Sequence, residues 1–470
     1  MATLLEWFGL VLFKVPLLVS LLLTAWILYN IYLHPLSHIP GPFWDRATGI
    51  PSWYATIQGR RHLYLSQQFD LYGDRIRPEP GTVLFRGPAA HADIYGARSN
   101  VRRSCFYRAF NRTRKIDETT FTTTDVAAHA RKRKVLNVCF TERLVKAAAP
   151  FIVRHVDRFG RSFDIKEGGE NSVKEVPDCI SSALQFYYPI CRSPFLKPFV
   201  WLKPRGLDRA LQMISPPTVH KYNDFVCSSV ADRLALQKEQ ASRPEAERRQ
   251  DMFYFLADAR HADTGKAAYG EDELRAECSV LITAGSGTTS VSLSGVFFYL
   301  SGDEKRYNKL VDEIRSSFAS LQDVVYGPVL LGCREHPREV LEGGIRIADE
   351  FYPAGTIVGT VPWADSRNGA IYGDAHVFRP ERWIVDEETG TTKEEVSRLR
   401  ANFHPFLSGP CSCIGKNLAL MEMYVTVART LFCLDVRRVA GSRDGGELRL
   451  RDAFVSLREG PEVQFRRRCE

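Results

Sequence analysis

Two cysteines stand two positions apart, Cys411 and Cys413, in the stretch FHPFLSGPCSCIGKNLAL that covers residues 403–420. A Cys-x-Cys pair can clamp a metal ion, close a small disulfide or provide one thiolate to a larger group. No second Cys or His pair at the spacing of a zinc site lies nearby. The eleven cysteines are odd in number and scattered along 470 residues, which indicates a reducing compartment and no disulfide framework.

The position of Cys413 favours a thiolate that binds a large flat group. Cys413 lies just ahead of an apolar helical pattern, and the N–H groups and dipole at a helix N-terminus stabilise a thiolate. Gly409 and Gly415 allow the backbone to pass close to a flat group, against which Phe406 can pack. A thiolate with an apolar wall is what a haem iron requires from a sulfur ligand. On these residues alone, haem, a zinc site, a disulfide and inert buried thiols all stay open.

The pattern Phe406-x-x-Gly409-x-x-x-Cys413-x-Gly415 resembles the haem-binding signature of the cytochrome P450 monooxygenases. The resemblance implies that Cys413 is the axial ligand of the iron. It extends over nearly the whole chain and implies a mainly α-helical fold with small β-sheets (α+β). This would be a cytochrome P450-like haem-thiolate fold with an N-terminal transmembrane helix.

The segment LITAGSGTTS (281–290) lies in a helix predicted over 271–300 and resembles the oxygen-binding motif of the same family. Four residues match that motif: Ala284, Gly285, Thr288 and Thr289. Glycines weaken a helix locally, so we expect the Thr288 hydroxyl to turn into the groove instead of bonding to its own helix. Outside the family context, a cluster of Gly, Ser and Thr in a helix is more typical of a close contact between helices.

Basic residues elsewhere resemble the elements with which the family holds the haem propionates. His129 and Arg133 in HARKRK are four positions apart, so they share one face of a helix predicted over 125–160. Arg338 in Pro-Arg-Glu-Val resembles the strand arginine that pairs with a propionate. Arg382 in FRPERW resembles the arginine that fixes the meander loop beneath the haem.

The chain departs from the family pattern at two single positions. Gly287 stands where the family carries an acid that relays protons. Cys411 stands where the family carries an Arg or His, so a propionate loses a charge-assisted hydrogen bond.

A third departure is a missing helix, the one that carries Glu-x-x-Arg. Between Gly327 and Val340 the chain is short by about five turns on the 3.6-residue pitch. We therefore expect Arg382 to lack its carboxylate partner, a cost of several kcal/mol on the scale of a broken buried ion pair. The loss is abrupt between Cys333 and Arg334, as in a splicing or gene-prediction error, and it leaves open whether this chain is competent.

The N-terminus predicts a membrane anchor. From Trp7 to Tyr32 the chain is almost wholly apolar and long enough to cross a bilayer, without the basic start or cleavage site of a signal peptide. Basic residues follow this segment, so the positive-inside tendency places the body in the cytosol. We predict an anchor over 1–33, a proline-rich hinge over 34–42 and one haem-thiolate domain over 43–470. The expected location is the endoplasmic reticulum membrane, crossed once.

Periodicity predicts the remaining elements that position these residues. Apolar residues at helical spacing predict helices over 206–240, 245–260 and 304–321, and another after the Cys-x-Cys pair. Alternation predicts two short strands around Pro353-Ala354-Gly355, and a hairpin over 452–465.

The resemblance implies a monooxygenase that inserts one oxygen atom from O₂ into a small lipophilic substrate of fungal secondary metabolism. Electrons would come from NADPH through a flavoprotein, NADPH–cytochrome P450 reductase, that docks on a basic face including residues 131–134. The net charge of +8 is too modest and dispersed to predict nucleic-acid binding. Two alternatives stay open. One is a haem-thiolate enzyme that does not activate O₂, such as an isomerase, dehydratase or peroxygenase; the other is a truncated, inactive family member.

Overall fold

The structure is a computed structural model that describes residues 13–111, 118–161, 175–261, 265–318, 320–321, 336–439, 447–460 and 462–468. Helices dominate these residues. The α-helices are α1 (Val15–Leu28), α2 (Phe43–Thr48), α3 (Ile50–Ile57), α4 (Arg61–Tyr72), α5 (Pro88–Tyr95), α6 (Cys105–Arg108), α7 (Val126–Asn137), α8 (Glu142–Arg161), α9 (Val176–Cys191), α10 (Leu196–Leu202), α11 (Leu207–Ile214), α12 (Pro217–Gln240), α13 (Met252–Ala257), α14 (Glu271–Ser301), α15 (Glu304–Ser317), α16 (Pro362–Asp365), α17 (Gly369–Tyr372), α18 (Lys393–Ala401) and α19 (Lys416–Cys433).

The strands form small sheets, as the sequence predicts. They are β1 (Arg75–Glu79), β2 (Thr82–Phe85), β3 (Val101–Arg103), β4 (Arg338–Val340), β5 (Ile345–Ile347), β6 (Glu350–Tyr352), β7 (Ile357–Thr360), β8 (Leu434–Arg438), β9 (Arg449–Ala453), β10 (Val455–Glu459) and β11 (Val463–Arg467). One sheet has five strands in the order β1-β2-β7-β4-β3, with β2 and β7 parallel and the other pairs antiparallel. The remaining strands pair two by two.

The longest described helix, α14, organises the core. It begins after Gly270, and its first turn carries Glu271, Asp272 and Glu273, which stabilise the positive end of the helix dipole. Further along, Phe297 and Leu300 pack with α15, α19 and β8 in one apolar cluster. A second cluster joins the beginning of α14 to α6, α9, α12 and the β9–β10 hairpin. The mainly α fold with small sheets that the sequence predicts is confirmed.

Several predicted helices divide or shorten. The helix expected over 125–160 is two helices, because a 3₁₀ turn at 138–140 and an extended Thr141 separate α7 from α8. The helix expected over 206–240 breaks between α11 and α12, where Pro216 and Pro217 force the preceding residues into extended conformations. The helix expected over 245–260 is only the short α13.

The C-terminal tail also pairs differently from the prediction. Strands β9 and β10 form a hairpin with Phe454 alone between them. Strand β11 pairs with β8, which comes before both, so the segment 452–465 is not one hairpin.

The N-terminal helix has the properties of a membrane span. The apolar segment Val15–Leu33 combines α1 with a following π-helical turn and has a mean hydropathy of 1.8 over its most apolar window. Its apolar side chains are exposed, for example Leu17 and Leu22 at 61% each. Length and composition therefore suit a bilayer. Helix α14 is also long and apolar enough to cross a membrane, although its C-terminal part packs in the protein core.

Candidate active site

The loop before α19 presents Cys413. Its backbone N–H donates to the carbonyl of Phe406 at 2.8 Å, which closes the loop. The Cys413 side chain is exposed, Cys411 is half-buried, and both thiols are free. Gly415 caps α19, so Cys413 lies next to a helix N-terminus, as the sequence predicts. An accessible thiol at this place can act as a thiolate ligand.

Gly409 is required for a reason that the sequence did not reveal. Its φ of +66° lies in the left-handed region, and a Cβ built there would lie 2.0 Å from the carbonyl oxygen of Tyr95. The glycine therefore allows the loop to pack against α5. On the same helix, Nε2 of His91 lies 3.1 Å from Oγ of Ser408. A Cβ at Gly415 would be only 3.7 Å from the ring of Phe140, an ordinary contact.

A cluster of basic side chains adjoins this loop. Arg133 donates from Nη1 to the carbonyl of Ser412 at 2.7 Å. Arg338 is 3% exposed and donates to the hydroxyl of Tyr107 at 2.9 Å. The structure adds Arg103, which sequence reasoning missed; it pairs directly with Arg338 across β3 and β4. We call Arg103, Arg133 and Arg338, together with His129, the basic cluster.

The basic cluster holds more positive charge than the protein neutralises. In the described part of the chain, none of its three arginines forms an ion pair with a carboxylate. Burial, and after it the positive charges of the three arginines, lowers the pKa of His129 to about 3, so this imidazole is neutral. Its Nε2 is buried without a hydrogen-bond partner, as is Nε of Arg103. Burial also lowers the pKa of Arg103 and of Arg133.

These features fit a haem. Buried cations without counter-ions require an anion, and the two propionates of a haem are carboxylates that charge-assisted hydrogen bonds would hold. The unpartnered Nε2 of His129 could take part in the same contact. Both cysteines lie near these arginines: Arg133 is close to Cys413 and Cys411, and Arg103 and Arg338 are close to Cys411.

The segment of α14 that resembles the oxygen-binding motif is arranged partly as the sequence predicts. Ala284 and Gly285 are exposed although they lie on a central helix, and a Cβ added at Gly285 would meet nothing within 4 Å. The prediction for Thr288 was wrong, because its hydroxyl donates to the carbonyl of Ala284 at 2.8 Å along its own helix. An unbroken helix offers that carbonyl as the nearest acceptor. Thr289 is buried and faces Glu422 of α19.

Gly287 has an apolar neighbour from the far end of the chain. A Cβ at this position would lie 3.4 Å from Cγ1 of Val455, the first residue of β10. The hairpin therefore contacts the place where the family carries its acid. Beside it, Phe454 with φ +69° packs against the rings of Phe106, Phe110 and Phe121 at centroid distances of 5.5 to 5.6 Å.

The expected loss of a partner for Arg382 was also wrong. Its guanidinium donates to the carbonyls of Arg379, Tyr372, Asp374 and Val377 at 2.6 to 3.1 Å. The carboxylate of Asp374 lies 3.2 Å from Nη2. The hydrogen-bond donors of Arg382 therefore find their acceptors within the meander loop itself. The segment expected to lack the Glu-x-x-Arg helix falls mostly in 322–335, outside the described residues, so its absence stays a prediction.

A zinc clamp finds no support in the part of the chain that the structure covers. Among those residues, no group of three or more His, Cys, Asp or Glu side chains is placed to hold a metal ion.

Comparison with known proteins agrees with this geometry. A family model described as Cytochrome P450 matches residues 103–326 and 333–444. The chain is 27% identical to cytochrome P450 monooxygenase fscF of Fusarium equiseti, over 94% of this chain and 93% of that protein. It is 27% identical to cytochrome P450 monooxygenase poxM of Penicillium oxalicum, over 95% and 93%. It is 28% identical to cytochrome P450 monooxygenase AMT3 of Alternaria alternata, over 88% and 91%.

The same comparisons bear on the length of the chain. The alignment with the Fusarium protein runs over 503 positions, more than the 470 residues available here, so that relative has segments that this chain lacks. The family match is interrupted at 327–332, within the segment where the helix is expected to be missing. The match nevertheless covers well over half of the residues and includes Cys413 and the whole basic cluster. The chain therefore belongs to the cytochrome P450 family and is an oxidoreductase of the monooxygenase type.

Proposed function

We propose that this chain is a haem-thiolate monooxygenase that inserts one oxygen atom from O₂ into a small lipophilic substrate. The observation that carries the proposal is the basic cluster, in which Arg103 and Arg338 are buried and Arg133 is half-buried without a carboxylate partner in the described residues, next to the free thiol of Cys413. Cys413 would bind the iron. His129, Arg133 and Arg338 would hold the propionates, while Phe406, Gly409 and Gly415 shape the loop around the ligand. When bound, a haem with a thiolate ligand supplies the activation and cleavage of dioxygen.

The protein's own residues would orient and shield the reaction. Ala284 and Gly285 leave open space on α14 for a small molecule. The Thr288 hydroxyl, bonded along its helix in this structure, can exchange that bond for one to an oxygen or a water molecule, and Thr289 stands beside it. The aromatic side chains around Phe454 provide an apolar wall that suits a lipophilic substrate and excludes water.

The remaining parts of the proposal concern partners and location. We propose electron supply from NADPH through NADPH–cytochrome P450 reductase, docking on a basic face that includes Arg131 and Lys134. The apolar segment Val15–Leu33 would anchor the chain, by one crossing, in the endoplasmic reticulum membrane with the catalytic domain in the cytosol. Exposed apolar side chains on α2 and α10, such as Trp44 at 59% and Trp201 at 58%, support further contact with a bilayer. The fungal relatives support a role in secondary metabolism.

A second candidate is a haem-thiolate enzyme that does not activate O₂ with NADPH electrons. The observation in its favour is that Gly287 provides no acid for a proton relay, and a side chain added there would contact Val455. Turnover with hydrogen peroxide and without NADPH would favour this candidate. The inactive, truncated alternative loses one of its arguments, since Arg382 is fully partnered within its own loop.

The deciding experiment is the carbon monoxide difference spectrum of the reduced, purified full chain. A strongly red-shifted Soret band is the signature of iron bound to a thiolate, and we expect it here. A band typical of thiol- or histidine-bound haem, or no band, would refute the proposed function.

A further inference from the structure

We propose that Cys411 and Cys413 form a reversible disulfide in the haem-free chain, and that this bond blocks haem uptake until it is reduced. The two residues, here called the cysteine pair, are then a redox switch whose oxidant is hydrogen peroxide. Formation of the disulfide depends on the cysteine pair alone. Its effect on haem uptake rests on the proposed function, in which Cys413 binds the iron.

The first argument is the access of an oxidant to the cysteine pair. Cys413 is exposed, Cys411 is half-buried, and both thiols are free. Redox-sensitive cysteines are accessible to solvent and have a second cysteine nearby that resolves the first oxidation product. The sequence offers this arrangement at one place, because the next closest cysteines, Cys179 and Cys191, are twelve positions apart.

The second argument is the backbone between the two thiols. Ser412 has φ −58° and ψ 157°, which is close to the polyproline II conformation. The rise of about 3.1 Å per residue in that conformation places the Cα atoms of Cys411 and Cys413 roughly 6–7 Å apart. Disulfides join Cα atoms up to about 6.8 Å apart, so closing the bond requires only a small rotation of the backbone at Ser412.

The third argument is a cation beside the cysteine pair. Arg133 donates from Nη1 to the carbonyl of Ser412 at 2.7 Å, so its guanidinium lies at the residue between the two cysteines. A nearby positive charge favours a thiolate, which is the form that attacks an oxidant. The buried cysteines differ, because burial raises the pKa of the Cys139 thiol to about 11 and of the Cys191 and Cys278 thiols to about 12. Oxidation is therefore directed to the cysteine pair.

The reaction consists of two balanced steps. The Cys413 thiolate attacks hydrogen peroxide, so that a sulfur–oxygen bond forms, the peroxide bond breaks, and the leaving hydroxide takes up the proton of the thiol as water. The Cys411 sulfur then attacks the sulfenic acid on Cys413, which forms the disulfide and releases a second water. Two thiols and one peroxide thus give one disulfide and two waters, with both sulfurs oxidised and the peroxide reduced.

The disulfide of the cysteine pair is easily reduced. A bond between cysteines two positions apart closes a small strained ring, and strained, exposed disulfides have potentials at which cellular thiols reduce them. A transient disulfide of this kind is compatible with a reducing compartment. It also protects the haem ligand, because a sulfenic acid that finds no second thiol proceeds to sulfinic acid, which is irreversible.

The test uses the full chain, expressed with haem synthesis limited, treated with equimolar hydrogen peroxide and then with an alkylating reagent. Cleavage after Arg400 and Lys416 releases one peptide, 401–416, which contains the cysteine pair and no other cysteine. We expect this peptide to escape alkylation and to be lighter by two hydrogen atoms than the reduced peptide. Haem uptake, measured from the Soret band, should be lost after peroxide and should return after dithiothreitol.

Three comparisons accompany this measurement. Cys411→Ser leaves Cys413 without a resolving thiol, so peroxide should convert it to sulfinic acid and haem uptake should not return on reduction. The matched control is Cys227→Ser, which should behave as wild type, because Cys227 is also exposed but stands apart from the other cysteines in the sequence. The haem-loaded wild type should form no disulfide, because its Cys413 sulfur is bound to iron. If Cys411→Ser cannot be purified, the mass of the wild-type peptide decides alone.

Three results would overturn the inference while leaving the proposed function intact. One is a peptide 401–416 that is alkylated at both cysteines after peroxide. The second is a disulfide that leaves haem uptake unchanged. The third is recovery of haem uptake in Cys411→Ser to the wild-type extent. A wild-type chain without the red-shifted carbon monoxide band would instead refute the proposed function, whether or not the disulfide forms.

Discussion

Replacement of Gly409 by alanine tests how the cysteine loop is positioned. The residue has φ +66°, and left-handed backbone costs a residue with a side chain about 1–2 kcal/mol. The new Cβ would also lie 2.0 Å from the carbonyl oxygen of Tyr95, so the loop must move away from α5. That movement loses the contact of His91 with Ser408, worth about 1 kcal/mol. The sum is roughly 2–3 kcal/mol, and we expect Cys413 to move with the loop.

The assay combines thermal unfolding of the full chain with the fraction of haem that gives the red-shifted carbon monoxide band. We expect Gly409→Ala to lower both the temperature of unfolding and the fraction of haem that gives this band. The matched control is Gly390→Ala, because Gly390 has φ +70° but a Cβ there would meet nothing within 4 Å. The control variant should lose only the about 1–2 kcal/mol of stability that left-handed backbone costs an alanine, and it should keep the red-shifted carbon monoxide band. If the two variants behave alike, the contact between the loop and α5 does not position the thiolate, and the reasoning fails.

Three further predictions concern individual side chains. Cys413→Ser should abolish the thiolate spectrum while Cys411→Ser keeps it; an unchanged spectrum in the first variant would contradict the ligand assignment. Gly287→Asp should raise the product formed per NADPH consumed, and more so with Val455→Ala, which gives the carboxylate room; equal or worse coupling in both variants would count against a missing relay. Burial raises the pKa of Asp365 to about 7 from an ordinary value of 3.8, so the folded chain keeps a proton that the unfolded chain releases. The free energy of unfolding should therefore decrease between about pH 4 and pH 7, and Asp365→Asn should flatten that decrease in pH-dependent denaturation; an equally steep decrease in the variant would contradict the assignment.

The parts of the site that sequence reasoning found depend on local spacing. His129 and Arg133 share a helix face because they are four positions apart, and the cysteine precedes its helix within the same short stretch. Helix α14 was predicted within one residue at its end, because its apolar pattern is long and its first turn is acidic.

The parts that were missed depend on contacts between distant segments. Arg103 enters the site only through the pairing of β3 with β4, and no local pattern marks it. Val455 reaches Gly287 through the hairpin near the C-terminus. The partner of Arg382 is close in sequence, at Asp374, but a loop built from backbone carbonyls leaves no periodic signal. Thr288 was misjudged because a glycine permits a distortion of a helix without requiring one.

The paired arginines of β3 and β4 have a consequence for the amount of this protein in a cell. A bound anion would lessen their repulsion, so its free energy of binding would add to the free energy of folding. We therefore expect the steady-state amount of the protein to rise and fall with haem supply, because chains without haem are degraded faster. Protein levels that stay constant when haem synthesis is inhibited would contradict this.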